Sequence, residues 1–320
     1  MCMWIRVRHN YDFPYKEFFL PWIILKNGVE PTQRGFYCDD VSIKYPYKSS
    51  TITNTVLTSI SCLLPSLTFV ITELTCWLLR DEKKSEYSTD QPPITIASFS
   101  VPRFITKLYK LFCVYFFGFL LQQTITNIGK FTIGRLRPHY LDICQPNYSR
   151  FSCVDANNLA VYVTETDLCT GEDTYRIEQA RLSFPSGHSS MSTYAALYTI
   201  FYLQYRLTHR DMRLVRCLLQ SVLAYMAIYT CLSRVSDNKH HWSDVLAGAI
   251  IGVSIASLMA CCVSNFFKRE VSQGKCSNSS SVPQADYPAN LRPDLEVGEL
   301  RTSNSSLADS TKRYSRSEYM

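Results

Sequence analysis

The sequence predicts an all-α protein, a polytopic bundle of transmembrane helices. Three observations carry that reading. Four apolar runs, at 52–79, 108–128, 214–232 and 245–267, are each long enough to cross a bilayer. The segments richest in Lys and Arg are separated by pairs of spans, so a single topology puts them all on one side. The mean hydropathy of −0.07 hides strong segregation, with an oily middle and a polar last fifty residues.

Taken in order, residues 1–33 form an N-terminal segment whose stretch FFLPWIIL (18–25) is too short to span and contains a proline. It is read as an interfacial or loop segment rather than a signal peptide, because acidic residues precede it and no small-residue cleavage site follows closely. The first strong span is followed by RDEKKSEYS and then Arg103, Lys107 and Lys110, which mark the cytoplasmic side. The second span leads into a long polar segment, 129–190, on the outer side. A fifth, shorter run at 191–207 carries Ser, Thr and Tyr, and is accepted because the topology closes only with it. Arg206, Arg210, Arg213 and Arg216 then return to the cytoplasm. The loop SRVSDNKHHWSD (233–244) faces outward, and FFKRE follows the last span inside. The domains expected are thus 1–33, a membrane domain at 34–269, and a disordered cytoplasmic tail at 270–320, rich in Ser, Asn and Pro.

The sequon at Asn147 lies on the outer side and is a glycosylation candidate, whereas those at Asn278 and Asn304 fall in the tail and should be silent. Of 13 cysteines, most sit in apolar runs as small hydrophobes. Cys38, Cys144, Cys153 and Cys169 are in polar loops and can form disulfides in an oxidising compartment, in a pairing the sequence leaves open. A net charge of +6 in scattered clusters does not indicate nucleic-acid binding.

Three polar clusters share the outer side, where ionisable groups beside a bilayer point to function. In KFTIGRLRP, Lys130 and Arg137 are seven apart and would share one face of a helix that Pro138 ends. In FPSGHSSM, Ser186 and Gly187 open a helix whose free N–H groups suit a phosphate-like anion, with His188 placed to exchange a proton. In the 233–244 loop, Arg234 offers a fork of donors, and Asp244 lies four residues after His240, within reach of its ring. A carboxylate there would fix the tautomer and leave the other nitrogen as a nucleophile. The competing reading is a zinc site built from His188, His240, His241 and Asp244. Lys130, Arg137 and Arg234 would repel a cation and suit an anion, so phosphate is the better ligand and no metal or other cofactor is expected. All ionisable groups lie at the outer rim rather than at mid-bilayer, which disfavours a transporter.

Lys130-x6-Arg137-Pro138, Pro185-Ser186-Gly187-His188 and Ser233-Arg234-x5-His240-x3-Asp244, in this order, are similar to the three-part signature of the type 2 phosphatidate phosphatase superfamily. RGFYCDDVSIKYPY and GRLRPHYLDIC further resemble its integral-membrane lipid phosphate phosphatases. The resemblance implies six spans, of which five are clear here, and a core related to vanadium haloperoxidases. It also implies metal-independent hydrolysis of phosphatidate, lysophosphatidate, sphingosine phosphate or ceramide phosphate. By the same resemblance His240 is the nucleophile, Asp244 orients it, and His188 is acid and then base. Lys130, Arg137, Arg234, Ser186 and Gly187 hold the phosphoryl oxygens, while Arg135 and His241 are structural. The implied setting is the plasma membrane, or alternatively endoplasmic reticulum or Golgi, with the site extracellular or lumenal. The partners are the membrane and its lipid phosphates, and self-association suits such a bundle.

Overall fold

In a computed structural model, the described residues are 31–80, 95–96, 99–100, 103–164, 168–208, 211–264 and 266. The 18–25 stretch and the tail lie outside them. Five long helices dominate: α1 (Asn54–Arg80), α2 (Arg103–Ile133), α5 (Gly187–Arg206), α6 (Arg213–Ser236) and α7 (Trp242–Leu258). Two short helices, α3 (Tyr140–Cys144) and α4 (Thr174–Ala180), sit in the segment between α2 and α5. Strands are two-residue fragments: β1 (Phe36–Tyr37) pairs antiparallel with β4 (Tyr162–Val163), and β2 (Thr95–Ile96) with β3 (Phe99–Ser100).

Stretches within α1, α2 and α6, and α7 with the π-helical turn Met259–Val263 that continues it, are long and apolar enough to cross a membrane. The weaker fifth run is α5, and its position explains its composition. It packs against α1, α2, α6 and α7 at once. A helix packed against four others faces little lipid, so it can carry Ser189, Ser190, Ser192, Tyr194, Tyr198, Thr199 and Tyr202 in its buried face. The tyrosines need partners there. Tyr194 donates to the Tyr115 carbonyl at 2.7 Å and Tyr115 to the Ser61 carbonyl at 2.5 Å.

α5 and α7 approach each other backbone to backbone. Gly248 and Gly252, four apart, present one bare stripe of α7 to α5. A Cβ on Gly248 would lie 2.4 Å from the Ser186 carbonyl oxygen, and one on Gly252 2.5 Å from that of Ser190. Small residues at this spacing let two membrane helices touch backbone to backbone. The contact fixes the start of α7 on the start of α5: Ser186 N–H donates to the Asp244 carbonyl at 3.0 Å, and Ser189 Oγ to that of Val245 at 2.7 Å.

Above this end of the bundle, residues 31–53, 134–164 and 168–186 form a cap with its own small core of Phe36, Ile43, Leu136, Tyr140, Val163 and Leu168. Too small to hold by burial alone, it is stapled by disulfides Cys38–Cys153 and Cys144–Cys169, which supplies the pairing the sequence leaves open.

Candidate active site

A cavity of about 470 Å³ lies between cap and bundle, lined by Lys130, Arg137, His188, Arg234 and His240 among others. One lining residue comes from the end of α2, one from the strap after it, one from the start of α5, one from the end of α6, and one from the turn before α7.

The route to Arg137 differs from the expected helical face. α2 ends at Ile133, and Gly134 adopts φ +58°, a left-handed conformation that favours glycine. A Cβ there would also sit 2.1 Å from the Thr32 carbonyl oxygen. The chain therefore leaves the helix four residues before Pro138, and Arg137 reaches Lys130 through an extended strap held by its N–H to the Ala180 carbonyl at 2.8 Å. Burial and nearby Arg234 lower Arg137 to about 10, so it stays charged at neutral pH. Its Nε is buried and has no hydrogen-bond partner among the described residues.

Arg234 is only 1% exposed and is held from behind, with Nη2 3.0 Å from Asp237 Oδ2. Asp237 in turn accepts from the Thr51 N–H and hydroxyl, both at 2.8 Å, tying the cap to α6. The sequence reading missed Asp237, although its i,i+3 spacing from Arg234 in a helix end was a usable signal.

The histidines are set by carbonyl acceptors. His240 Nδ1 donates to the Ser183 carbonyl at 2.8 Å, which forces the proton onto Nδ1 and leaves Nε2 with its lone pair. Burial, then Arg137, Lys130 and His188, holds His240 well below the ordinary histidine range, so its ring is neutral at pH 7. His188 Nε2 donates to the Ile52 carbonyl at 3.1 Å, leaving Nδ1 as its other nitrogen.

Asp244 is fully buried and does not hold His240, as its place four residues on suggested it would. Oδ1 accepts from Arg135 Nη1 at 2.5 Å, and Oδ2 from Ser183 Oγ at 2.5 Å and from His241 N and Nδ1 at 3.1 Å each. His241 is the residue before α7, so Asp244 turns back onto the helix entrance and its own first turn. Arg135 and His241, set aside in the sequence as structural, are its direct partners. Asp244 reaches His240 only through Ser183, whose side chain it grips and whose carbonyl takes the His240 proton.

Ser186 caps α5, its Oγ accepting from Ser189 N–H at 3.4 Å, and is fully buried. Gly187 lies under Lys130, whose Nζ would be 3.3 Å from a Cβ built there. Neither is among the residues lining the cavity, and Asp244 is not either.

The sequence reading also missed four further residues of the cavity lining, Tyr47, His139, Arg176 and Lys239. Lys239 Nζ stands 3.6 Å over the Tyr47 ring and is lowered to about 8, chiefly by burial. His139 donates Nδ1 to the Asn238 carbonyl at 2.6 Å and is lowered by burial to about 4. Three of these four sit beside or within residues already singled out, so proximity in sequence was the available clue. Among the described residues, no group of three or more His, Cys, Asp or Glu side chains is placed to hold a metal ion.

A family model described as the PAP2 superfamily matches residues 111–268. The chain is 41% identical over 249 residues to rat phospholipid phosphatase 1, covering 78% of this chain and 82% of that one. It is 36% identical over 265 residues to rat phospholipid phosphatase 2, covering 82% and 87%. A Drosophila melanogaster protein with a provisional phosphatidate phosphatase name is 41% identical over 242 residues, 75% of this chain but 64% of that longer one. No solved structure matches the chain.

Proposed function

The chain belongs to the PAP2 superfamily, and from that premise we propose that it hydrolyses lipid phosphate monoesters through a phosphohistidine on His240, at the outer or lumenal membrane face. The observation that carries this is the proton inventory of the cavity. His240 presents an unprotonated Nε2, and the three cations Lys130, Arg137 and Arg234 line the same space.

In the first step, His240 Nε2 attacks phosphorus as the P–O bond to the lipid breaks. Charge spreading over the equatorial oxygens is met by Lys130, Arg137 and Arg234, whose positions are fixed before substrate arrives. Burial and Arg234 lower His188 to about 3 in the free enzyme, so it takes up its proton only with the anionic phosphate bound beside it and then gives that proton to the departing alkoxide. In the second step His188 takes a proton from water, the hydroxide displaces His240 from phosphorus, and inorganic phosphate leaves. The cations supply the positive charge that a metal supplies elsewhere. Ser186 and the Gly187 N–H group come into play only if phosphate seats deeper than the present cavity lining.

Placement supports the substrate class. The cavity caps a bundle of apolar helices, so a headgroup can enter while acyl chains stay in the bilayer. Phosphatidate, lysophosphatidate, ceramide phosphate and sphingosine phosphate all meet that condition. The disulfide-stapled cap favours an oxidising compartment for this end. The plasma membrane is the proposed location, and surface biotinylation separates it from an internal membrane.

The test is phosphate release from lysophosphatidate by membranes containing the full chain, with excess chelator. Wild type should be active. Arg234→Ala should lose about a hundredfold in kcat, the usual cost of one transition-state donor. A well-expressed wild type inactive on all four lipids would sink the reading. Sidedness has its own check: Asn147 sits in the cap, its Oδ1 accepting from Ser149 N–H at 3.1 Å. Wild type should therefore gain mobility on glycosidase treatment, and Asn147→Gln should already run there; an unshifted wild type would place the cap in the cytosol or the sequon out of use.

A further inference from the structure

The far end of the bundle holds a second cavity of about 540 Å³, larger than the first. It opens where α2 begins, where α1 and α5 end, and beside the π-helical turn that follows α7. The helix directions put it at the opposite end from His240: Lys110 lies near the start of α2 and Lys130 near its finish, and Arg206 closes the helix that Gly187 opens.

Its chemistry is amphiphilic. The one carboxylate in the lining, Glu73, is saturated, because Arg206 Nε and Nη2 grip its two oxygens at 2.6 and 2.7 Å and the Tyr202 hydroxyl adds a bond at 3.2 Å. That pair is neutral as a unit and leaves Nη1 of Arg206 without a hydrogen bond among the described residues. Lys110 then brings a positive charge that Glu73 does not answer, with Lys107 one turn away in the same lining. The remaining wall is apolar and aromatic, with Leu111, Val114, Tyr205 and Phe266. Basic cavities between transmembrane helices, at the depth of a headgroup and floored by apolar side chains, suit the phosphate of an anionic lipid. The volume is in the range of ligand sites. The lining has no histidine and its one carboxylate is taken up by Arg206, so a ligand here would be held and not turned over.

We propose that this cavity binds the phosphate headgroup of an anionic phospholipid from the leaflet opposite the substrate. Lys110 and Arg206 hold the phosphate, and the apolar wall receives the glycerol and the first acyl carbons. The site is independent of the catalytic reading, since none of its residues lines the His240 cavity.

The probe is dioctanoyl phosphatidylglycerol, a phosphodiester that a monoesterase does not consume. It is titrated into detergent-solubilised full chain while thermal stability is followed, because a ligand of the folded state raises Tm as it saturates. Parallel arms use dioctanoyl phosphatidylcholine and inorganic phosphate. The expected result is a saturable rise with phosphatidylglycerol and none with phosphatidylcholine. Lys110→Gln should weaken it about tenfold, the loss of one charge-assisted contact, with phosphate release from lysophosphatidate unchanged. Lys110→Glu should remove it. Equal shifts from both lipids, or a phosphatidylglycerol response that Lys110→Gln leaves intact, would overturn the site. A Lys110-dependent shift from inorganic phosphate as large as that from phosphatidylglycerol would overturn the lipid as its source. If Lys110→Glu does not fold, Lys110→Gln alone decides.

Discussion

His240→Ala membranes should release no phosphate from lysophosphatidate while containing wild-type amounts of folded protein. On the proposed mechanism, removing the ring that carries the phosphoryl group leaves only binding and charge stabilisation, and the loss should approach a millionfold, as for a deleted nucleophile in a hydrolase. His240 is buried, yet alanine should be tolerated, because the ring makes few bonds beyond its Nδ1 contact with the Ser183 carbonyl. Rapid quench of wild type should show an acid-labile phosphoenzyme that the variant lacks. The proton state adds a second readout. In the free enzyme burial and the positive charges of Arg137 and Lys130 disfavour the imidazolium. The nucleophile is active when neutral, so its lowered pKa extends activity to lower pH. The acid limb of kcat/KM that belongs to His240 should fall below pH about 6.5, the ordinary histidine value. A variant that keeps a tenth of wild-type activity would move the nucleophile elsewhere.

Much of this was legible before any coordinates. Apolar run lengths gave four spans, and the charge pattern required a fifth. That fifth run read weakly because hydropathy measures a helix against lipid, and α5 packs against four other helices. The cations and histidines of the cavity could be listed from residue type and order, since each is one of a few groups that can hold or attack phosphate. What failed was geometry inferred from spacing. Seven residues from Lys130 to Arg137 suggested one helical face, but Gly134 breaks the helix, and a lone glycine does not announce whether it takes a left-handed turn. Four residues from His240 to Asp244 suggested contact, but His240 precedes the helix, where the i,i+4 rule does not apply. The tight α5–α7 contact has a sequence signal in Gly248-x3-Gly252, small residues at one-turn spacing.

The position of Asp244 leads to a second result that separates two accounts of this site. If a carboxylate bonded the His240 ring directly, Asp244→Asn would misplace the ring proton, a change that costs about ten-thousandfold in a serine protease triad. Here the proton is held by the Ser183 carbonyl, which the substitution does not alter. Asparagine can keep one accepting oxygen for Arg135 and turn its NH₂ toward Ser183 Oγ, which rotates to accept. The strap and the Ser183 segment loosen without losing the tautomer. Asp244→Asn should therefore lose only about 10- to 100-fold in kcat with KM nearly unchanged, an effect of misplacement rather than of lost chemistry. Stability should drop by about 3 kcal/mol, because the fully buried carboxylate at the centre of the Arg135, Ser183 and His241 contacts is gone. Arg135→Ala should lower stability in the same direction. The acid limb of kcat/KM should stay in place, since the charges acting on His240 are those of Arg137, Lys130 and His188. A directly bonded carboxylate favours the imidazolium, so its removal would instead move that limb to lower pH. A ten-thousandfold loss together with such a shift would show that Asp244 swings onto His240 during turnover and that Ser183 is only its resting partner.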